Sequence, residues 1–150
     1  MTEVPASVLF CCDHNAVRSP MAEGLMKQLY GTRSYVQSAG VKGEMEVDGF
    51  SIAVCREIGV ELDRHHVRSF EQMQERGEEL SGFDLIVALS PASHETARAL
   101  TRLWHLDVEY WPILDPTAIG EDRETKLEAY RQARDQIRDR MLARFGAPRP

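Results

Sequence analysis

The sequence predicts an α/β fold in which one four-stranded parallel sheet carries helices on both faces. Three observations lead there. Short apolar runs alternate with amphipathic stretches along the chain, with no repeat, low-complexity tract or linker. The run Leu85-Ile86-Val87-Ala88-Leu89 is apolar at every position, as suits a parallel strand buried on both faces. Helix-start signals, Ser19-Pro20 and Ser90-Pro91, follow two of the apolar runs.

The first strand is Val8-Leu9-Phe10-Cys11. After a polar loop, Met21, Ala22, Leu25, Met26 and Leu29 recur at helical spacing. Ser19 is expected to cap that helix, Pro20 suits its first turn, and Gly31 its end. Tyr35-Val36-Gln37-Ser38 reads as the second strand. A loop rich in glycine and acid, from Gly40 to Asp48, leads to a helix through Ile52, Cys55 and Ile58 that Gly59 stops. The stretch from Arg64 to Ser69 is irregular, and Glu71 to Glu79 is a short acidic helix with a solvated face. Leu85 to Leu89 is the third strand, and the helix opened by Ser90-Pro91 puts Ala97, Leu100 and Leu103 on one face. Val108 to Trp111 is the fourth strand. The last helix runs from about Arg123 to Phe145, with an inward stripe of Leu127, Tyr130, Ala133, Ile137 and Met141. A chain of 150 residues fits one domain around one core.

Composition narrows the function. The hydrophobic share of 43% and charged share of 28% are those of a globular protein. No run approaches the roughly 18 apolar residues of a membrane span. Met1 to Ala6 is too short and polar for a signal peptide, so a cytoplasmic location is expected. A net charge of −6 and a pI near 5.4 lack the basic footprint of nucleic-acid or anionic-membrane binding. Three cysteines, Cys11, Cys12 and Cys55, make neither a disulfide framework nor a zinc site. Cys55 shares a face with Ile52 and Ile58 and reads as core, as does Cys11, while His94 reads as a helix-surface residue.

The chemistry concentrates in Cys12-Asp13-His14-Asn15-Ala16-Val17-Arg18-Ser19, between the first strand and its helix. Such a loop wraps a phosphate-sized oxyanion with successive backbone N–H groups, and the helix start adds its positive dipole end. Arg18 grips two oxygens through its planar fork. The same field favours the thiolate of Cys12, placed under a bound phosphoryl group for attack on phosphorus. An acid is also needed to protonate the departing oxygen. Asp115-Pro116, just past the fourth strand, supplies one, and the proline stiffens its loop. Parallel topology puts that loop on the same sheet edge as Cys12.

Val8-Leu9-Phe10-Cys11-Cys12, Asn15, Arg18-Ser19-Pro20-Met21-Ala22-Glu23 and the late Asp115-Pro116 resemble the low-molecular-weight protein tyrosine phosphatases over nearly the whole chain. The resemblance implies a four-stranded parallel sheet with a phosphate-binding loop after the first strand. It implies a phosphocysteine intermediate, with Cys12 as nucleophile, Arg18 as phosphate clamp and Asp115 as general acid, then base. The loop residues Asp13, His14, Asn15, Ala16 and Val17 surround the phosphate, and Ser19 helps expel the thiolate. Asn15, Ser38 and a histidine brace the loop; His65 suits that role, with His66 beside it. The implied partners are a phosphorylated protein or a small aryl phosphate, with phosphate or arsenate as oxyanion ligand, and no metal or other cofactor is required.

Several residues depart from that pattern. His14 stands where the family usually has glycine and is costly there if the position needs φ > 0. Asp13 lies on the rim, where its charge opposes anionic ligands and the thiolate. Val17 replaces a cysteine often found in the loop. Thr117 and Ala118 follow Asp115-Pro116, where tyrosine-specific members carry aromatics; Phe50, Tyr110 and Trp111 either line the mouth instead or are core. Arsenate reductases share the loop, and Tyr110-Trp111 before Asp115-Pro116 is similar to that branch. Thioredoxin-coupled reductases need two further cysteines near the third strand, where Ala88 to Ser93 has none. A reductase using an external small thiol therefore stands as the alternative, and a non-catalytic oxyanion-binding module, motivated by Asp13 and His14, as the third reading.

Overall fold

A computed structural model describes residues 4–43, 45–102 and 104–148. The expectations for residues 1–3 and for Leu103 on a helix face lie outside the described residues. The elements are β1 (Ser7–Cys12), α1 (Arg18–Tyr30), β2 (Tyr35–Gly40), α2 (Gly49–Arg56), α3 (Phe70–Glu75), β3 (Leu85–Ala88), α4 (Pro91–Thr101), β4 (Asp107–Tyr110) and α5 (Arg123–Phe145). All pairings are parallel, in the order β2-β1-β3-β4. The strand order reverses at β1, so a crevice opens between the carboxyl ends of β1 and β3, where ligands of such sheets bind.

Alternation along β1 splits the core in two. Val8, Phe10 and Cys12 face α1, α2 and α5, while Leu9 and Cys11 face α3 and α4. Each large apolar side chain buried here contributes about 1.5–3 kcal/mol relative to exposure. The stripe expected on α5 is buried at every named position. The stripe on α4 is not as expected: Ser93, Ala97 and Thr101 face inward and Leu100 is exposed. The cause is the helix start. Ser90 and Ser93 form a reciprocal cap, and the Ser93 hydroxyl donates to the Cys11 carbonyl at 3.2 Å, which fixes the rotation of the helix.

The start of α1 also differs from expectation. Its first residue is Arg18 and no side chain caps it, so Ser19 lies inside the helix with its hydroxyl free for other work. Gly31 does end α1, its N–H donating to the Lys27 carbonyl. The acidic stretch forms α3, which buries Phe70 and Met73 and turns its acids outward.

Candidate active site

Cys12 is the last residue of β1, and its sulfur meets the first turn of α1. The Ser19 N–H donates to Sγ at 3.4 Å and the Ser19 hydroxyl lies 3.0 Å away. Asn15 Nδ2 donates to the same hydroxyl oxygen at 2.8 Å, which leaves the Ser19 proton free to turn toward a thiolate. Cys11 points through the opposite face, fully buried, with Sγ 3.6 Å from the Val87 carbonyl. Burial, followed by the neighbouring Cys12 charge, pushes the Cys11 thiol well above its ordinary range.

The loop turns at Asn15, which has φ 58°, the one positive φ among the described non-glycine residues. Position 14 does not need a positive φ, so the cost that histidine would have there does not arise. Asparagine tolerates the left-handed region better than most residues, so the turn costs little. The buried Asn15 amide is satisfied on every side. Nδ2 also donates to Ser38 Oγ at 2.9 Å, and Oδ1 accepts from the Arg68 N–H at 3.1 Å. His65 Nε2 lies 2.9 Å from Oδ1, an acceptor, so the ring proton sits on Nε2. His65 rather than His66 is therefore the bracing histidine. The Ser38 hydroxyl donates to Glu23 Oε1 at 2.6 Å, and Glu23 also faces His65 Nδ1 at 4.0 Å. Glycine at position 40 is required by the same packing: a Cβ there would stand 2.6 Å from the Asn15 nitrogen and the His14 carbonyl carbon.

Burial lowers the His65 pKa, and the Glu23 charge only partly opposes this. The stability contributed by neutral His65 is thus full above its unfolded pKa of about 6.5 and drains as pH falls through the lower folded value. Thermal unfolding between pH 7 and pH 5 should show a larger loss for the wild type than for His65→Gln, which keeps a donor toward Asn15 and cannot titrate. Equal losses would show that His65 contributes nothing to the pH dependence.

Arg18 crosses the crevice. Nη1 donates to the carbonyls of Leu89, just past β3, at 3.4 Å and of Ile113, past β4, at 3.1 Å. Nη2 pairs with Asp13 Oδ2 at 3.3 Å and faces Asp115 Oδ2 at 3.8 Å. Asp13 is thus turned onto the guanidinium rather than standing free on the rim. Asp115 Oδ1 accepts from the Thr117 N–H at 3.1 Å and hydroxyl at 2.8 Å. Burial pulls the Asp115 carboxyl up, but these Thr117 hydrogen bonds and the charges of Arg18 and His14 outweigh it and hold the pKa below the usual range.

These groups share a cavity of about 130 Å³. Cys12, Ala16 and Arg18 form its buried side, and Met45, Asp115 and Thr117 its exposed side. Asp48 also lines it, capping α2 through hydrogen bonds from the Phe50 and Ser51 amides. None of the three aromatic candidates reaches it. Trp111 is buried edge-on to Phe10, Tyr110 stacks on His94 with centroids 4.6 Å apart, and Phe50 packs on Tyr130. Cys55 is core, its thiol pushed up to about 12 by burial. Sequence reasoning missed Met45 and Asp48 as cavity residues, and Glu23 and Arg68 as members of the bracing network. Asp48 did carry a signal, an Asp just ahead of an apolar helix; Met45 carried none. Among the described residues, no group of three or more His, Cys, Asp or Glu is placed to hold a metal ion, and no helix is long and apolar enough to cross a membrane.

A parallel four-stranded sheet with a cysteine and an arginine bracketing the loop after β1 defines a known class of enzymes. Residues 7–145 match the model of the family described as low molecular weight phosphotyrosine protein phosphatase, and the chain belongs to that family. The arsenate reductase of Bacillus subtilis (strain 168) is 25% identical over 134 residues, 89% of this chain and 91% of the relative. The structure of Wzb from Vibrio vulnificus in complex with benzylphosphonate superposes with a TM-score of 0.73 at 19% identity, covering 93% of this chain and 97% of that one. An arsenate reductase in the phosphate binding state gives a TM-score of 0.73 at 24% identity, with 93% and 98% covered. At these identities the two structures establish the fold. The family holds both phosphatases and arsenate reductases.

Proposed function

We propose that this protein hydrolyses phosphomonoesters through a phosphocysteine. The observation that carries the reading is the joint placement of Cys12, Arg18 and Asp115 on one cavity, with amide and hydroxyl donors aimed at the sulfur. The Cys12 thiolate attacks phosphorus while Arg18 and the loop amides of residues 13–17 hold the phosphoryl oxygens. Asp115 protonates the leaving oxygen, then takes a proton from the water that cleaves the S–P bond. Ser19 supports the departing thiolate, and Asn15, Ser38 and His65 hold the loop in shape. The benzylphosphonate in the Vibrio vulnificus neighbour and the phosphate binding state of the reductase support an aryl phosphate or free oxyanion as ligand. We place the protein in the cytoplasm, since a cysteine nucleophile works only where its thiol is kept reduced.

Arsenate reduction is the second reading, favoured by the names of the curated relatives. Here Cys11 and Cys55 are both fully buried with raised thiol pKa values, so the reducing thiol would come from outside the chain. Two assays on one preparation separate the readings: phosphate release from an aryl phosphate near pH 6, and arsenite formation with a small external thiol. The phosphatase reading expects release, with arsenite at the rate seen without enzyme. The reverse result assigns the reductase, and phosphate binding with neither turnover assigns a binding module.

A further inference from the structure

We infer that the natural substrate carries a cationic nitrogen on its leaving group; this deepens the phosphatase reading and rests on it. The cavity gathers three carboxylates, Asp13, Asp48 and Asp115, around one guanidinium, Arg18, and the His14 imidazole, so acids outnumber bases there. Asp13 and Asp115 both lean on Arg18, at 3.3 and 3.8 Å. A phosphoryl group binding in the loop takes the same guanidinium donors, so both carboxylates lose their share of its charge. Asp13 Oδ1 is already a buried oxygen without a hydrogen-bond partner.

Asp48 is the fixed member of the three. The Phe50 N–H and the Ser51 N–H hold Oδ1 at 2.8 and 3.3 Å, and the Tyr130 hydroxyl holds Oδ2 at 3.1 Å. It belongs to the loop between β2 and α2, which also brings Met45 to the exposed side of the cavity. Whatever is bonded to the phosphorus must leave through this side, past Asp115 and Thr117. Among the described residues, no phenylalanine, tyrosine or tryptophan lines the cavity; the one ring there is the His14 imidazole, beside the three carboxylates. An anionic leaving group meets like charge there, a neutral ring finds only Val17 and Met45 as larger apolar neighbours, and a cation finds complementary charge.

The reaction is otherwise unchanged. The Cys12 thiolate forms an S–P bond, the P–O bond to the leaving group breaks, and Asp115 gives its proton to that oxygen. The product leaves as an alcohol or phenol that still bears its cationic nitrogen. Water then replaces the sulfur on phosphorus, losing its proton to Asp115 and freeing phosphate and the thiolate.

The test compares three aryl phosphates that differ only in the para substituent: aminomethyl, methyl and carboxymethyl. At low salt kcat/KM should fall in that order, with the cationic ester at least about tenfold above the anionic one. Asp48→Asn keeps an N-cap acceptor for α2 and removes the charge, and should shrink that ratio at least about threefold. Raising salt should shrink the wild-type ratio as well, a readout that stands even if the variant does not fold. Equal kcat/KM for the three esters overturns the inference, as does a ratio that neither salt nor Asp48→Asn changes. If the methyl ester is cleaved by the wild type and not by Cys12→Ser, the phosphatase reading survives that failure. If none of the three is cleaved, both fall.

Discussion

Cys12→Ser is expected to lower phosphate release from an aryl phosphate by at least about 10⁴-fold, as loss of a covalent nucleophile does elsewhere. The reason lies in what surrounds the sulfur. The Ser19 amide and hydroxyl reach Sγ at 3.4 and 3.0 Å, and both can donate. Donors stabilise an anion that already exists; they do not remove a proton. A thiol ionises close to neutral pH and gains from them, whereas a serine hydroxyl stays protonated and has no general base hydrogen-bonded to it. The substitution barely changes volume in a core position, so melting temperature should move little. Phosphate should bind as well as before or better, because the negative sulfur beneath it is gone. Phosphate binding by calorimetry and release by a colorimetric assay check the two halves. Activity within tenfold of wild type would remove Cys12 from the mechanism, and lost phosphate binding would show that the loop had collapsed.

The parts of this site legible in the sequence are those fixed by local chain geometry. A strand, five residues and a helix place Cys12 and Arg18 on opposite sides of one turn, and parallel topology brings the loop after β4 to the same edge. Hence Asp115 meets Arg18 across a long sequence separation, as its position past the fourth apolar run implied. The strands needed only small changes, with β1 and β2 running on to Cys12 and Gly40 and β4 beginning at Asp107.

The rest depends on contacts that spacing does not encode. Ser19 looks like a cap because Ser-Pro commonly opens helices; here α1 begins two residues earlier than such a cap implies, and the hydroxyl serves the sulfur instead. The strained position falls on Asn15 rather than His14 because the Asn15 amide is held by His65, Arg68, Ser19 and Ser38 at once. Four partners on three segments make that turn worth its backbone cost, and no local pattern announces them. Asp13 carries a charge that reads as a repellent on the rim, yet it pairs with Arg18, so it competes with the incoming anion for the clamp rather than facing it unpaired. Met45 and Asp48 reach the cavity through a long connection whose path only the tertiary fold sets.

Asp115→Asn is expected to slow hydrolysis about 10²-fold or more for alkyl phosphates and much less for nitrophenyl phosphate. A poor leaving group needs its oxygen protonated as the P–O bond breaks, while a nitrophenolate leaves unaided. Asparagine keeps the shape of the side chain and an acceptor for Thr117, so the Pro116–Ala118 turn should persist. The pH dependence follows from the charges around the carboxyl. In the free enzyme Thr117 and Arg18 hold the Asp115 pKa below the usual range, which favours the form that cannot donate. A bound phosphoryl group shares the Arg18 charge and adds negative charge nearby, and both effects raise the pKa. The limb at which activity falls with rising pH should therefore lie at higher pH in kcat than in kcat/KM, and should vanish from kcat in Asp115→Asn. Equal slowing of both leaving groups, or a limb that survives the substitution, would assign proton donation to another group; His14, the neighbour whose charge is felt at Asp115, would be the next residue to replace.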